Sequence, residues 1–379
     1  MSDPHENEEP GTNAPAKGSR AARFFRQGWE RMSSWDKERV AYLLLGAIVF
    51  GVLALGVVRS GAWTSDEAGK VTFFRIATGA TGGTYFRMGE VLAGVISRPP
   101  GGDPCELGGR CGVDGLIAVV KSSPGSVANV RNVATGIFES GLVQANVLDA
   151  AFKGEGIFKG EAPRENLRVI ANLYPEALHL VAAMDSEIET VSDLKGKRVA
   201  IGSKGSGTWV DAHAIMNEFG IRKRSLTLLE EDANRAADLL LSGEIDAFFM
   251  ITGAPAPLIR TLILRDAGRL VPIEGAPAEG LRIKNAHYEG YTIEEGVYPG
   301  TGAINTIAVG AMWVTRADMP EELVHDITRA LFDERSKETL ALSHPEGALI
   351  MPETAVRGVP IFLHPGAERY YFEKGILAR

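Results

Sequence analysis

The sequence predicts an α/β protein of two lobes, preceded by one transmembrane helix. Three observations predict it. Beyond residue 70, short β-rich runs alternate with helix-like ones, the pattern of α/β layering. Four apolar runs end in a small-residue loop that opens a helix: 73–77 into 81–85, 119–121 into 122–126, 142–143 into 144–146, and 199–201 into 202–208. Residues 40–58 form an uncharged apolar run of about nineteen residues, long enough to cross a bilayer.

The four loop-to-helix joints carry the functional expectation. A helix start leaves free backbone N–H groups and a partial positive charge, so it attracts anions. Several starts in one chain suggest a cleft that grips a small anionic or zwitterionic solute.

Taken in order, residues 1–18 are rich in Pro, Gly, Asn and Glu and read as disordered. Seven basic residues, Lys17 to Arg39, precede the apolar run, and only Arg59 and Lys70 follow it closely. That bias puts residues 1–39 in the cytoplasm, residues 40–58 across a membrane and the remainder outside it, which for the bacterial family named below means the inner membrane and the periplasm. A cleaved signal peptide is the rival reading, but its usual form has a shorter lead and a shorter apolar core.

The spacing then predicts a helix over 84–96, a strand over 116–120, a helix over 126–134, a strand at 142–143 and a helix over 146–152. After Tyr174 and Pro175 come strands at 178–183, 198–201 and 245–251. Helices are expected at 210–219, 234–242 and 255–266, and loops from 275 to 302. A long strand over 304–314, a helix over 321–332 and a last helix after His364 complete the chain. The expected domains are 70–173 for the first lobe, 176–300 for the second and 304–379 for the return segment. Such crossings act as hinges, here 173–176 and 301–305, and the junction they span is a usual place for small ligands.

The bulk numbers fit. The 379 residues suffice for two domains and a tail, and 45% hydrophobic with 23% charged residues is ordinary for a packed core. The net charge is −8; residues 1–58 carry seven basic and seven acidic groups, so the whole acidic excess lies beyond them. An acidic surface argues against nucleic acid as a partner. Cys105 and Cys111 are the two cysteines. In an oxidising compartment they would close a Gly-rich loop, worth about 2 kcal/mol in the loop-entropy model. A metal site would need more soft ligands nearby, and the histidines are scattered. No nucleophile–base pair or phosphate-binding Gly-Lys-Ser/Thr loop stands out, so neither an enzyme nor a cofactor is expected.

Six segments together resemble the TAXI solute-binding proteins, the extracytoplasmic receptors of one branch of TRAP transporters. They are Thr78 to Phe86, Ser126 to Asn129, Ser192 to Gly202, Gly205 to Thr208, Gly243 to Phe249 and His364 to Tyr371. The resemblance implies a type II periplasmic-binding fold closing on a small organic acid or amino acid, glutamate-like or dicarboxylate. It also implies a TRAP-type membrane permease as partner. The family's usual Thr-Gly-Gly-Ser is Ser123-Pro124-Gly125-Ser126 here, and Pro124 removes one N–H donor.

The first expected binding set is Thr81, Gly83, Thr84 and Tyr85, where Gly admits close backbone approach and the hydroxyls can hydrogen-bond. Ser123, Ser126, Asn129 and Gln144 follow; Ser126 and Gln144 serve equally well as helix caps. Gly205, Ser206, Gly207 and Thr208 supply the second lobe. Tyr174, Trp209, Gly253 and Pro255 could also face the cleft. Arg87, Arg131, Arg235 and Arg260 sit on helical patterns as solvated residues, so no Arg is assigned. A ligand sensor signalling through a partner is the alternative function.

Overall fold

The computed structural model describes residues 71–378, apart from 104, 106, 107, 109 and 110. The apolar run 40–58 and the tail before it lie outside the described residues. Among the described residues no helix is long and apolar enough to cross a membrane.

The chain opens with β1 (Thr72–Ala77), α1 (Thr84–Ile96), β2 (Ser97–Arg98), β3 (Val113–Asp114), β4 (Leu116–Lys121), α2 (Ser126–Ala134), β5 (Ser140–Gln144) and α3 (Ala145–Lys153). The long β6 (Leu167–Ala183) follows. Next come β7 (Arg198–Ala200), α4 (Gly207–Glu218), β8 (Thr227–Leu229), α5 (Ala233–Leu241), β9 (Ala247–Thr252), α6 (Pro257–Leu264), β10 (Gly268–Val271), α7 (Ala276–Lys284) and β11 (Tyr288–Ile293). A second long strand, β12 (Ile304–Arg316), leads to α8 (Glu321–Leu331), α9 (Glu334–Ser343) and α10 (Pro365–Glu373).

The described strands form one mixed sheet in the order β3-β2-β4-β1-β5-β12-β6-β9-β7-β8, with β10 beside β6 and β11 beside β12. At one end β1 runs parallel to β4 and β5; at the other β7 runs parallel to β8 and β9. Parallel strands need crossover helices, and those helices bury both faces of the sheet, which is why all six residues of β9 are buried. The antiparallel pair β6 and β12 joins the two half-sheets. β12 binds β5 through Ala311–Thr315, while β6 binds β9 through Ala177–Ala182. The expected crossings coincide with this pair: 173–176 falls within β6 and 301–305 at the start of β12.

Pro175 does not interrupt β6. It pairs with Gly310, next to a shift of register between Gly310 and Met312, where the missing N–H is tolerated. Residues 275–302, expected as loops, instead carry α7 and β11. Pro277 sits in the first turn of α7, a position that suits it, and β12 supplies the pairing that a polar, Gly-containing strand lacks on its own.

The apolar positions follow the elements. In α1, Tyr85, Met88, Leu92 and Ile96 recur at three and four residues and are all buried. One core cluster takes residues from both half-sheets, including Val127 and Val143 from the first and Ile215 and Phe249 from the second. A second gathers Phe74, Trp313, Val324 and Tyr371, so the C-terminal helices complete the half-sheet begun at β1. Cys105 and Cys111 are joined as a disulfide.

Candidate functional site

Five strand ends meet at the junction of the two half-sheets. β1, β4 and β5 deliver the starts of α1, α2 and α3; β7 and β8 deliver those of α4 and α5. Strand C-terminal ends at a change of direction are where open α/β sheets form a crevice. The crevice here is a partly open cavity of about 80 Å³, room for several waters.

The backbone at its rim is exposed by design. Neither Gly83 nor Gly125 offers a side-chain cap to the helix it starts, so the first-turn N–H groups of α1 and α2 get no partner from their own N-cap residue. Gly125 has φ 125°, a conformation closed to other residues. On the opposite side Ser206 caps α4, accepting from the Trp209 N–H at 3.0 Å, and Asp232 caps α5.

The two half-sheets touch across the cavity. The Ala128 N–H donates to the Gly205 carbonyl at 3.1 Å. The Thr84 N–H donates to Thr252 Oγ1 at 3.2 Å, and the two threonine hydroxyls lie 2.8 Å apart. The Ala254 N–H donates to Glu346 Oε1 at 2.7 Å. A Cβ at Gly207 would overlap the Gln144 amide, so only Gly permits that approach.

The ionisable groups at the site are acidic. Glu176 and Asp232 line the cavity, and no Lys or Arg does. Glu176, 2% exposed, accepts from the Tyr85 hydroxyl at 2.6 Å through Oε2, and no described residue donates to its Oε1. Burial pushes its carboxyl well above the usual range, against the pull of Tyr85, with Asp211 and Glu346 adding to the rise. Asp211 is fully buried; Tyr288 Oη and Asn146 Nδ2 each donate to its Oδ1 at 2.6 Å. Burial pushes Asp211 and Glu346 up to about 7. Gln144, 2% exposed, also lines the cavity, and its Oε1 has no hydrogen-bond partner among the described residues.

Of the expected residues, Gly83, Thr84, Tyr85, Ser126, Gln144, Ser206, Gly207 and Thr208 line this one cavity. Four do not. Thr81 is exposed on the turn before α1. Asn129 donates to the carbonyls of Thr78 and Leu142, and Ser123 donates to Thr78 and Asn129, so both brace the loops behind the cavity. Gly205 contributes its carbonyl to the contact between half-sheets. Trp209 lies against His213 and donates to Glu230, while Tyr174 lines a larger hollow of about 570 Å³ with Pro175, Met312 and Met351. Gly253 packs against Glu346. Glu176 was not anticipated. Its one signal is an acid inside a mostly apolar run, Leu173 to Val181, that holds one other ionisable side chain besides Tyr174, His179.

A model of the NMT1-like family matches residues 76–375. The chain belongs to the NMT1-like family. For this family member, similar solved structures include the alkanesulfonate-binding protein SsuA from Xanthomonas axonopodis pv. citri bound to MOPS. That protein is 16% identical, with 82% of this chain and 96% of that chain covered and a TM-score of 0.43. A TctC solute-binding protein from Polaromonas is 15% identical over 80% and 97% of the two chains, TM-score 0.41. MatC from Rhodopseudomonas palustris with bound malate is 13% identical over 72% and 88%, TM-score 0.46.

Proposed function

We propose that this NMT1-like protein is an extracytoplasmic receptor for a small organic acid or amino acid. On this reading the fold is of the type II periplasmic-binding kind and the chain is a TAXI receptor. Residues 40–58 tether it to the inner membrane with the binding domain in the periplasm, and a TRAP-type permease accepts its cargo.

The observation that carries the reading is convergence: helix starts from both half-sheets, glycine-led or hydroxyl-capped, border one cavity. Main-chain N–H groups there suit a carboxylate without help from a charged side chain. The two half-sheets are linked through β6 and β12, and a ligand held between them favours the closed arrangement by its differential affinity. On this reading the work of the site is binding, not bond-making.

The test is thermal unfolding of the purified chain against a panel of amino acids and organic acids. A bound ligand at a hundredfold excess over Kd adds about 2.7 kcal/mol and raises Tm. A panel in which every compound leaves Tm unmoved overturns the reading.

A further inference from the structure

We infer that the cleft selects a small zwitterion with a single carboxylate, that Glu176 holds its ammonium group, and that dicarboxylates lacking an amine are refused. This rests on the reading of the cavity as a solute site, and it narrows the ligand class given there.

The cavity offers two kinds of group and omits a third. Main-chain N–H groups at the starts of α1, α2 and α4 can hold one carboxylate. Opposed to them are acceptor oxygens with nothing to accept from. Glu176 Oε1, on a residue 2% exposed, has no donor among the described residues, and Gln144 Oε1 is both buried and unpaired. A buried acceptor left unpaired is costly, and a protonated amine has three donors to offer these oxygens. The omitted group is a cation. A second carboxylate would enter a cavity bordered by Glu176 and Asp232 with no Lys or Arg to meet it, and a helix start supplies only about half a charge.

Titration supports the assignment. The groups facing Glu176 are Tyr85 from α1, Tyr174 from its own strand, Asp211 from α4 and Glu346 from the turn after α9; all are acids or phenols. Burial therefore favours the protonated carboxyl in the empty cleft. An arriving ammonium favours the carboxylate, so the proton leaves to solvent as the amine binds. Affinity then rises with pH until the Glu176 carboxyl is fully ionised. A neutral Glu176 donating to a ligand carboxylate would give the opposite slope.

The experiment is isothermal titration of the full-length chain with L-alanine, propionate, L-asparagine, L-aspartate and succinate, in buffers of different ionisation enthalpy. The expected result is binding of alanine or asparagine with proton release, at least tenfold weaker binding of aspartate, and no heat from propionate or succinate. E176Q, which keeps the side-chain shape, should lose at least tenfold in affinity for the amino acid and lose the proton release, at unchanged or higher Tm. Succinate or aspartate binding as tightly as asparagine overturns the inference and leaves the solute-receptor reading standing. An E176Q variant with unchanged affinity and proton count also overturns it. Silence from every compound on the unaltered chain rejects the receptor reading, and this inference with it.

Discussion

At the scale of single residues, the same polar side chain can brace a loop or face a ligand, and only the direction of its hydrogen bonds tells which. Asn129 sits at the start of α2, as a ligand-reading amide would, yet its Nδ2 donates to two buried carbonyls at 2.6 and 2.7 Å. Removing it takes this donor from the Leu142 carbonyl and leaves Thr78 with Ser123 Oγ alone. We expect Asn129→Ala to lower unfolding free energy by roughly 1–3 kcal/mol in urea titration, whereas a loss confined to binding would contradict the bracing role. Gly207 is the converse case. Gly207→Ala would push a methyl into the Gln144 amide and wedge the half-sheets apart. Its expected effect is at least tenfold weaker binding of whichever solute stabilises the native chain, with Tm of the free protein lowered only slightly. Sequence alone showed that small and hydroxyl residues gather at helix starts, because that chemistry is local. It did not show Glu176, which enters the cavity only because a strand from one half-sheet continues into the other.

Among elements, those with a strong internal signal were legible and those that depend on neighbours were not. The buried face of α1 and the five apolar residues of β9, Ala247–Ile251, announce themselves by period and by composition. By contrast β11 is a short YEGYTI segment broken by Glu289 and Gly290 and paired along its length with β12, so its strand formers stand out only once that partner is in place. The reach of β12 was read almost to its end because Ile304 to Val314 is apolar and β-branched. Its anchor is Trp313, fully buried, donating to Ser140 Oγ at 3.1 Å and meeting Phe74 edge-on at 6.4 Å. Trp313→Ala should cost about 3–5 kcal/mol, and Trp313→Phe, which keeps the ring and loses the donor, about 1 kcal/mol. Equal losses from both variants, measured by chemical denaturation, would show that the ring packing is not what holds the strand.

For the molecule as a whole, three buried carboxyls set the response to pH. Asp211 and Glu346 are raised to about 7 and Glu176 well above its usual range, all chiefly by burial. A raised native pKa means that the folded chain holds protons the unfolded chain releases, so stability falls as pH climbs from about 4 through about 7 and beyond. Each group contributes at most about 1.4 kcal/mol per pH unit across its window. His179, lowered by burial to about 4, acts oppositely and takes stability away as pH drops below its ordinary value. The melting temperature should therefore peak in mildly acid buffer and decline toward pH 8, and D211N should flatten that decline. A melting temperature that rises across the same interval would sink the account. The threading of the chain has one more consequence. The half-sheet that begins with β1 is finished by β12, α8 and α10, so a ribosome delivers its first pieces more than two hundred residues ahead of the last. The nascent N-terminal portion cannot seal its own interior, and the release of the final helix is the moment at which a native domain becomes attainable.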